Sequence, residues 1–356
     1  MIKEGLELKA EVERLVAEGY LIESKHKSLP LTIYNYSVKT QYENYWNELT
    51  LSCRGLVLDD NGQIIARPFN KFFNLGEVRD TIPNEPFRVY EKLDGSLGIF
   101  FWYEGYPVFA SRGSFNSEQA MRGWEILKSK YNVHELKQFH TYMFEIIYPE
   151  NRIVVDYGKT TDVVMLGVIH TKSGDEIERH IVEKDYNEHF RLVVDYNIKD
   201  SWDHLRSSNI PNREGYVVRF ESGFRMKIKF DEYVRLHRII TQVSNTGIWT
   251  MLKDKMPLEM ILEEVPDEFY NWVRKVECEL KEAHGNVMAQ AFTKWEEIYN
   301  ELGPNASRLE WVDYISAEGR QMSSLLFCIY DMNMSKLDGF VWKHIKPDWE
   351  KPFFSV

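Results

Sequence analysis

The feature that most constrains this chain is a change of hydrophobic period near residue 240. From Leu31 to about Phe230 the apolar residues fall in short β-like runs separated by turns. Ser52–Leu58, Phe87–Glu91, Leu97–Trp102, Val108–Ser111, Thr141–Ile147 and Val163–His170 all read as strands. Glu214–Phe230 reads as a hairpin with Ser222-Gly223 near its turn. Helical patches interrupt the strands, notably Ser117–Lys130, and residues 1 to about 25 read as a helix from the spacing of Leu6, Leu8, Val12, Leu15 and Val16. After Asp231 the period is helical to the end, punctuated by Met256-Pro257 and Gly303-Pro304. The expected fold class is therefore α+β, with a mixed domain over 1–240 and a smaller all-helical domain over 241–356.

Charge bears on the partner. The net charge of −11 argues against a uniformly nucleic-acid-binding surface. The two parts differ, however. From Thr241 onward 12 basic residues face 19 acidic ones, a balance of −7, whereas residues 1–240 carry only −4. A local basic groove in the first part is compatible with this. Cys53, Cys278 and Cys328 lie far apart, with neither metal-ligand nor disulfide spacing, so a reducing cytoplasmic setting is expected. The first residues lack the apolar stretch of a signal peptide, and the longest apolar runs are of strand length. No membrane partner is expected.

One lysine stands out. Glu91-Lys92-Leu93-Asp94-Gly95 lies between two expected strands, where a lysine can act as a nucleophile and a glycine lets a nucleotide approach the backbone. The tetrapeptide alone decides nothing, because it recurs as Lys336-Leu337-Asp338-Gly339, where an exposed lysine beside a turn is expected. The two copies differ in their downstream sequence. After Lys92 come Glu145 within a strand, Glu214-Gly215 at the start of another, and Lys227-Ile228-Lys229; after Gly339 only a short tail remains.

Lys227 and Lys229 are two apart on a strand and share a face, where an anion such as a triphosphate would relieve their repulsion. Met226, Ile228 and Phe230 would then face the core. A solvated edge-strand face is the competing reading. Glu145 and Glu214 suit either a surface or a pocket holding a ribose hydroxyl or a hydrated magnesium ion. Arg54 and Lys71 sit in apolar and aromatic sequence, Ser52–Leu58 and Arg67–Asn74, where a phosphate partner would account for them. Ser111-Arg112-Gly113-Ser114 adds a further basic site. Neither a zinc-ligand cluster among the histidines nor a P-loop is present, which disfavours a zinc enzyme and a Walker-type ATPase.

Taken in order, these motifs resemble the covalent nucleotidyltransferase superfamily of DNA ligases, RNA ligases and capping enzymes. Within it they resemble most the bacteriophage T4 RNA ligase 1 family. The likeness rests on Tyr34-Asn35-Tyr36, Cys53-Arg54-Gly55, Arg67 to Leu75, Lys92 to Leu97, Ser117 to Ala120, Glu145, Asn151 to Val154, Glu214 to Val217 and Lys227 to Lys229, spanning roughly residues 31–237. It implies a nucleotidyltransferase domain of twisted antiparallel sheets, an ATP-grasp-like ligase fold. It implies Lys92 as nucleophile, with Asp94, Glu145 and Glu214 completing the catalytic set.

The resemblance also implies Tyr34, Arg54, Lys71, Lys227 and Lys229 on the triphosphate, and Glu145 on the ribose. Phe73, Glu91 and Arg112 join the nucleotide-binding set. Asp94, Glu145 and Glu214 would hold magnesium or manganese. Arg112 stands where the family carries a lysine, and the region after Thr241 has no alignable match. The implied function is an ATP-dependent RNA ligase joining 5′-phosphate and 3′-hydroxyl RNA ends through lysyl-AMP and RNA-adenylate, in RNA repair that includes tRNA. The protein is expected to be monomeric and cytoplasmic, phage-encoded or otherwise intracellular. A DNA ligase, a capping-type enzyme and a nucleotide-binding RNA adaptor stay open as alternatives. The helical sequence after 240, in place of a β-barrel, favours RNA ligase.

The chemistry sets a demand. A lysine with a reference pKa of about 10.4 is neutral only about once in a thousand near pH 7, so the site must deprotonate its amine before attack.

Overall fold

The computed structural model describes residues 5–77, 81–198, 202–241, 244–262 and 267–348. They divide into two compact units, Met1–Thr241 and Gln242–Val356.

Unit 1 contains three four-stranded sheets. The first joins β1 (Leu21–Lys25), β2 (Leu31–Tyr36), β3 (Arg54–Asp59) and β4 (Ile64–Ala66) in chain order, all antiparallel. The second runs β10 (Asp162–His170), β9 (His140–Ile147), β7 (Ser96–Tyr103), β8 (Tyr106–Ser111). The third runs β5 (Phe73–Asn74), β12 (Arg225–Lys229), β11 (Gly215–Phe220), β6 (Phe87–Lys92). The expectation of antiparallel sheets meets one exception: β5 pairs with β12 in parallel.

Alternation along the strands explains the layering. Leu31, Ile33, Val57 and Ala66 of the first sheet pack with Ile99, Phe101, Val108 and Ala110 of the second. Tyr34, Tyr36, Leu56 and Leu58 take the opposite face, covered by Leu8, Val12 and Leu15 of the helix Leu6–Ala17. β2 is therefore buried on both faces, Thr32 and Asn35 included. The far face of the second sheet carries Phe100, Tyr142, Phe144 and Ile146 against the helix Glu118–Lys130. Ser117 caps that helix by accepting from the amide of Ala120. Gly123 lets it sit down on the sheet, since a Cβ there would come within 2.6 Å of the Phe109 ring.

Two local expectations are corrected. The first helix ends at Ala17 rather than near residue 25. Gly19, at φ +80°, turns the chain, and Leu21 begins β1. Ser52 does not open a strand. It ends the helix Glu48–Ser52, which Asn47 and Thr50 start with a reciprocal capping box.

Unit 2 is helical: Asn245–Lys253, Glu259–Leu262, the 36-residue Asp267–Leu302, Arg308–Ala317, Arg320–Tyr330 and Met334–His344. Its own core includes Ala291, Ile298, Trp311, Ile315, Leu326, Leu337 and Val341. Among the described residues no helix is long and apolar enough to cross a membrane. The three cysteines are free thiols.

Candidate active site

The last residue of β6 and two alternate residues of β12 build one end of the site. In register, Lys92 faces Gly215, and Gly215 faces Lys229. Gly215 has φ +150°, and a Cβ there would lie 2.0 Å from the carbonyl oxygen of Ile228. Only glycine lets β11 and β12 approach this closely. The adjoining Glu214 is 3% exposed and lies between the two lysines. Its Oε2 is 2.6 Å from Nζ of Lys92 and its Oε1 is 3.4 Å from Nζ of Lys229. Met226, Ile228 and Phe230 are buried on the other face of the hairpin.

Asp94 anchors the turn after Lys92. Its Oδ2 accepts from the amides of Val154 and Val155, both at 2.8 Å, and its Oδ1 accepts from the hydroxyl of Tyr233 at 2.8 Å. The amide of Asp94 donates to the Tyr157 hydroxyl at 2.8 Å. Gly95 then passes against β9, where its amide donates to Oε1 of Glu145 at 3.0 Å. A Cβ on Gly95 would come within 2.5 Å of the carbonyl oxygen of Ile146. Desolvation pushes the Glu145 carboxyl up to about 7, against the pull of Lys92 and Arg54 and with a further push from Glu214 and Asp94.

Arg54 starts β3, and Lys227 faces out from β12 on the face of Lys229. The Arg54 guanidinium and the Lys227 ammonium lie 5.7 and 5.8 Å from the centre of the Phe72 ring. Lys71 is 6% exposed inside an aromatic box, its Nζ 5.6, 5.7 and 5.3 Å from the rings of Tyr36, Trp46 and Phe73. Arg112 reaches the same Tyr36, donating to its hydroxyl at 3.4 Å. Aromatic faces offer these cations stabilisation of roughly 0.5–2 kcal/mol each.

The structure thus gathers Lys92, Glu145, Glu214, Lys227, Lys229, Arg54, Lys71, Phe73 and Arg112. It does not gather the rest. Tyr34 is 2% exposed and packs under the N-terminal helix, where burial, with Glu23 and Glu13 nearby, pushes its hydroxyl up to about 12. Tyr36, two residues on and on the same face, is the tyrosine at the cations; the spacing made both candidates without choosing between them. Glu91 shares the face of Val89 and pairs with Arg213 at 3.6 Å. The expected metal shell is only partly drawn together. Among the described residues no three His, Cys, Asp or Glu side chains are placed to hold a metal ion. Asp94 in particular spends its oxygens on two amides and a phenol. Phe72, Trp46 and Tyr233 are site-building residues that the motifs had not assigned.

A buried carboxylate between two lysines, beside a cleft lined with further cations, suits an attacking amine and a polyphosphate leaving group. The profile of a protein family described as RNA ligase matches residues 52–233, which span Arg54, Lys92, Glu145, Glu214, Lys227 and Lys229. The chain belongs to this RNA ligase family. The ligase is 22% identical to an RNA ligase of Rhodothermus phage RM378 over 372 aligned residues, 83% of this chain and 82% of that one. A relative in Thermovibrio ammonificans named "Putative RNA ligase" is 26% identical, over 59% of this chain and 60% of its own. A solved structure named "Putative ATP-dependent DNA ligase from Aquifex aeolicus" superposes with a TM-score of 0.51 at 15% identity, over 91% of this chain and 88% of that one, a likeness of fold.

Proposed function

We propose that this RNA ligase uses ATP, and that Lys92 is the nucleophile that takes its AMP. The observation that carries the reading is the contact of Lys92 Nζ with a buried carboxylate, in a cleft lined with further cations. In the first step Nζ attacks the α-phosphorus. The N–P bond forms, the bond to the bridging oxygen breaks, and pyrophosphate leaves. Glu214, 2.6 Å from Nζ, is placed to take the proton. Lys229, Lys227 and Arg54 neutralise charge on the transferring and departing phosphates, with Lys71 and Arg112 further along. In the second step an RNA 5′-phosphate oxygen attacks the same phosphorus and releases the amine. In the third a 3′-hydroxyl attacks the RNA 5′ phosphorus and expels AMP. Dividing one exchange into three gives each a good leaving group.

Glu145 and Glu214, two carboxylates beside Lys92, are the residues that would hold a divalent ion, magnesium or manganese. When bound it would offset polyphosphate charge. Asp94 holds the turn in place.

The acidic helical unit, residues 242–356, is the part we assign to RNA choice, and broken RNA, tRNA included, is the substrate that end-joining serves. Incubation with labelled ATP or GTP followed by denaturing electrophoresis tests the donor: a covalent band with ATP alone is expected. Matched RNA and DNA ends test the acceptor, and sealing of DNA as fast as RNA would contradict the reading.

A further inference from the structure

The second and third sheets are joined covalently by the Leu93-Asp94-Gly95 turn between β6 and β7. The segment 191–196 also joins β10 to β6 through backbone hydrogen bonds, and at β11 and β12 a carboxylate adds a side-chain tie. Glu176 follows β10 and bridges back to Ile169. Its Oε2 accepts from Nε of Arg219 on β11 at 2.8 Å, and its Oε1 accepts from the guanidinium of Arg225 on β12. The three side chains are only 13–19% exposed. The Arg225 guanidinium also lies 4.1 Å from the centre of the Phe69 ring, two residues before Lys71.

Arg225, Lys227 and Lys229 alternate along β12 and so share one face. At about 3.3 Å per residue, Arg225 stands about 13 Å from Lys229. Lys227 therefore sits midway between two ties. Glu214 holds Lys229 and Lys92 at one end, and Glu176 holds Arg225 and Arg219 at the other.

We propose that Glu176 is a positioning residue for AMP transfer: by tying β11 and β12 to the β10 return, it sets how far Lys227 and Lys229 stand from Arg54 and Glu145 across the cleft. The proposal rests on the assignment of Lys92 as nucleophile and of the lysine pair as its phosphate clamp. A largely buried carboxylate serving two guanidinium groups is a stiff tie, because removing one partner leaves the others' charge uncompensated. Its effect on chemistry comes through placement, where an error of about 1 Å can cost on the order of 100-fold in rate.

The test uses the full chain with Glu176→Gln and, separately, Arg225→Lys, which keeps the charge but loses the planar fork and its stacking on Phe69. Three quantities are measured: melting temperature, the ATP concentration giving half-maximal lysyl-AMP formation, and ATP-free sealing of pre-adenylylated RNA. The last reaction needs the same fold but no triphosphate. Both variants should need roughly tenfold more ATP, or form lysyl-AMP about tenfold more slowly at saturation, while sealing stays near the parent rate. Equal loss of both activities would reduce Glu176 to general structural support and overturn the proposal, as would an unchanged response to ATP. If the parent itself formed no lysyl-AMP on Lys92, the functional reading beneath the proposal would fail instead.

Discussion

The Nζ of Lys92 lies 2.6 Å from Oε2 of Glu214, a carboxylate 3% exposed whose other oxygen reaches Lys229. The contact gives Glu214 two tasks, aiming the amine and accepting its proton. Glu214→Gln keeps the shape and removes the base. Single-turnover lysyl-AMP formation should fall by about 10²–10⁴, the usual range for a lost general base. A rate within a few-fold of the parent would take Glu214 out of the proton's path.

Glu145 yields a pH prediction for the protein without nucleotide or metal. Its carboxyl is raised by burial to about 7, against an ordinary value of 4.5. Between those values the folded state holds a proton that the unfolded chain has released. Its contribution to stability is therefore present at low pH and is lost as pH rises through about 7. Glu145→Gln cannot ionise. The melting temperature of the variant relative to the parent should climb from pH 5 to pH 7.5. A constant difference across that window would mean that Glu145 is already ionised throughout.

Gly215 gives a backbone prediction. It combines φ +150° with a Cβ position 2.0 Å from the Ile228 oxygen and 2.8 Å from the Lys229 Cα. Gly215→Ala must push β12 away from β11 and move Lys229 relative to Lys92. Urea unfolding should show a loss on the order of 1–3 kcal/mol, with weakened lysyl-AMP formation. A variant as stable and active as the parent would refute the close approach.

Much of this was legible because local rules and the final fold agree. Alternation in Met226 to Phe230 already separated core from cleft, and the hairpin turn fell at Ser222-Gly223, with Gly223 at φ +87°. Ser117 marked a helix start where the structure has one. The misses have physical causes. A capping box at Asn47 and Thr50 was a readable helix signal that the neighbouring β-like run masked. The resemblance implied Asp94 in the metal shell, and in the structure its carboxylate also holds the turn after Lys92. Its three donors come from Val154, Val155 and Tyr233, 60 or more residues away in sequence. Tyr34 and Tyr36 share a face, and only tertiary packing decides which one reaches the cations.

The duplicated tetrapeptide carries the same lesson. Lys336 was expected as a solvated lysine beside a turn in the helical domain; it lies exposed in the first turn of the helix Met334–His344, just after the Asp331-Met332 turn, its amide donating to the Asn333 side chain. Asp338 pairs with His284 at 2.9 Å and lies 3.9 Å from Lys255. A Cβ on Gly339 would meet nothing within 4 Å, whereas one on Gly95 would strike β9. One sequence takes two conformations because tertiary context overrides local preference.

That pair supplies the most direct test of the central claim. Reactivity should depend on the pocket, with Glu214 at the amine and Lys227 and Lys229 beside the leaving group, and not on the four-residue sequence. The measurement is peptide mapping by mass spectrometry of the full-length protein after incubation with ATP, alongside Lys92→Ala and Lys336→Ala. AMP is expected on Lys92 alone, with loss of the adduct in Lys92→Ala and an unchanged adduct in Lys336→Ala. AMP on Lys336, or on both lysines equally, would contradict it.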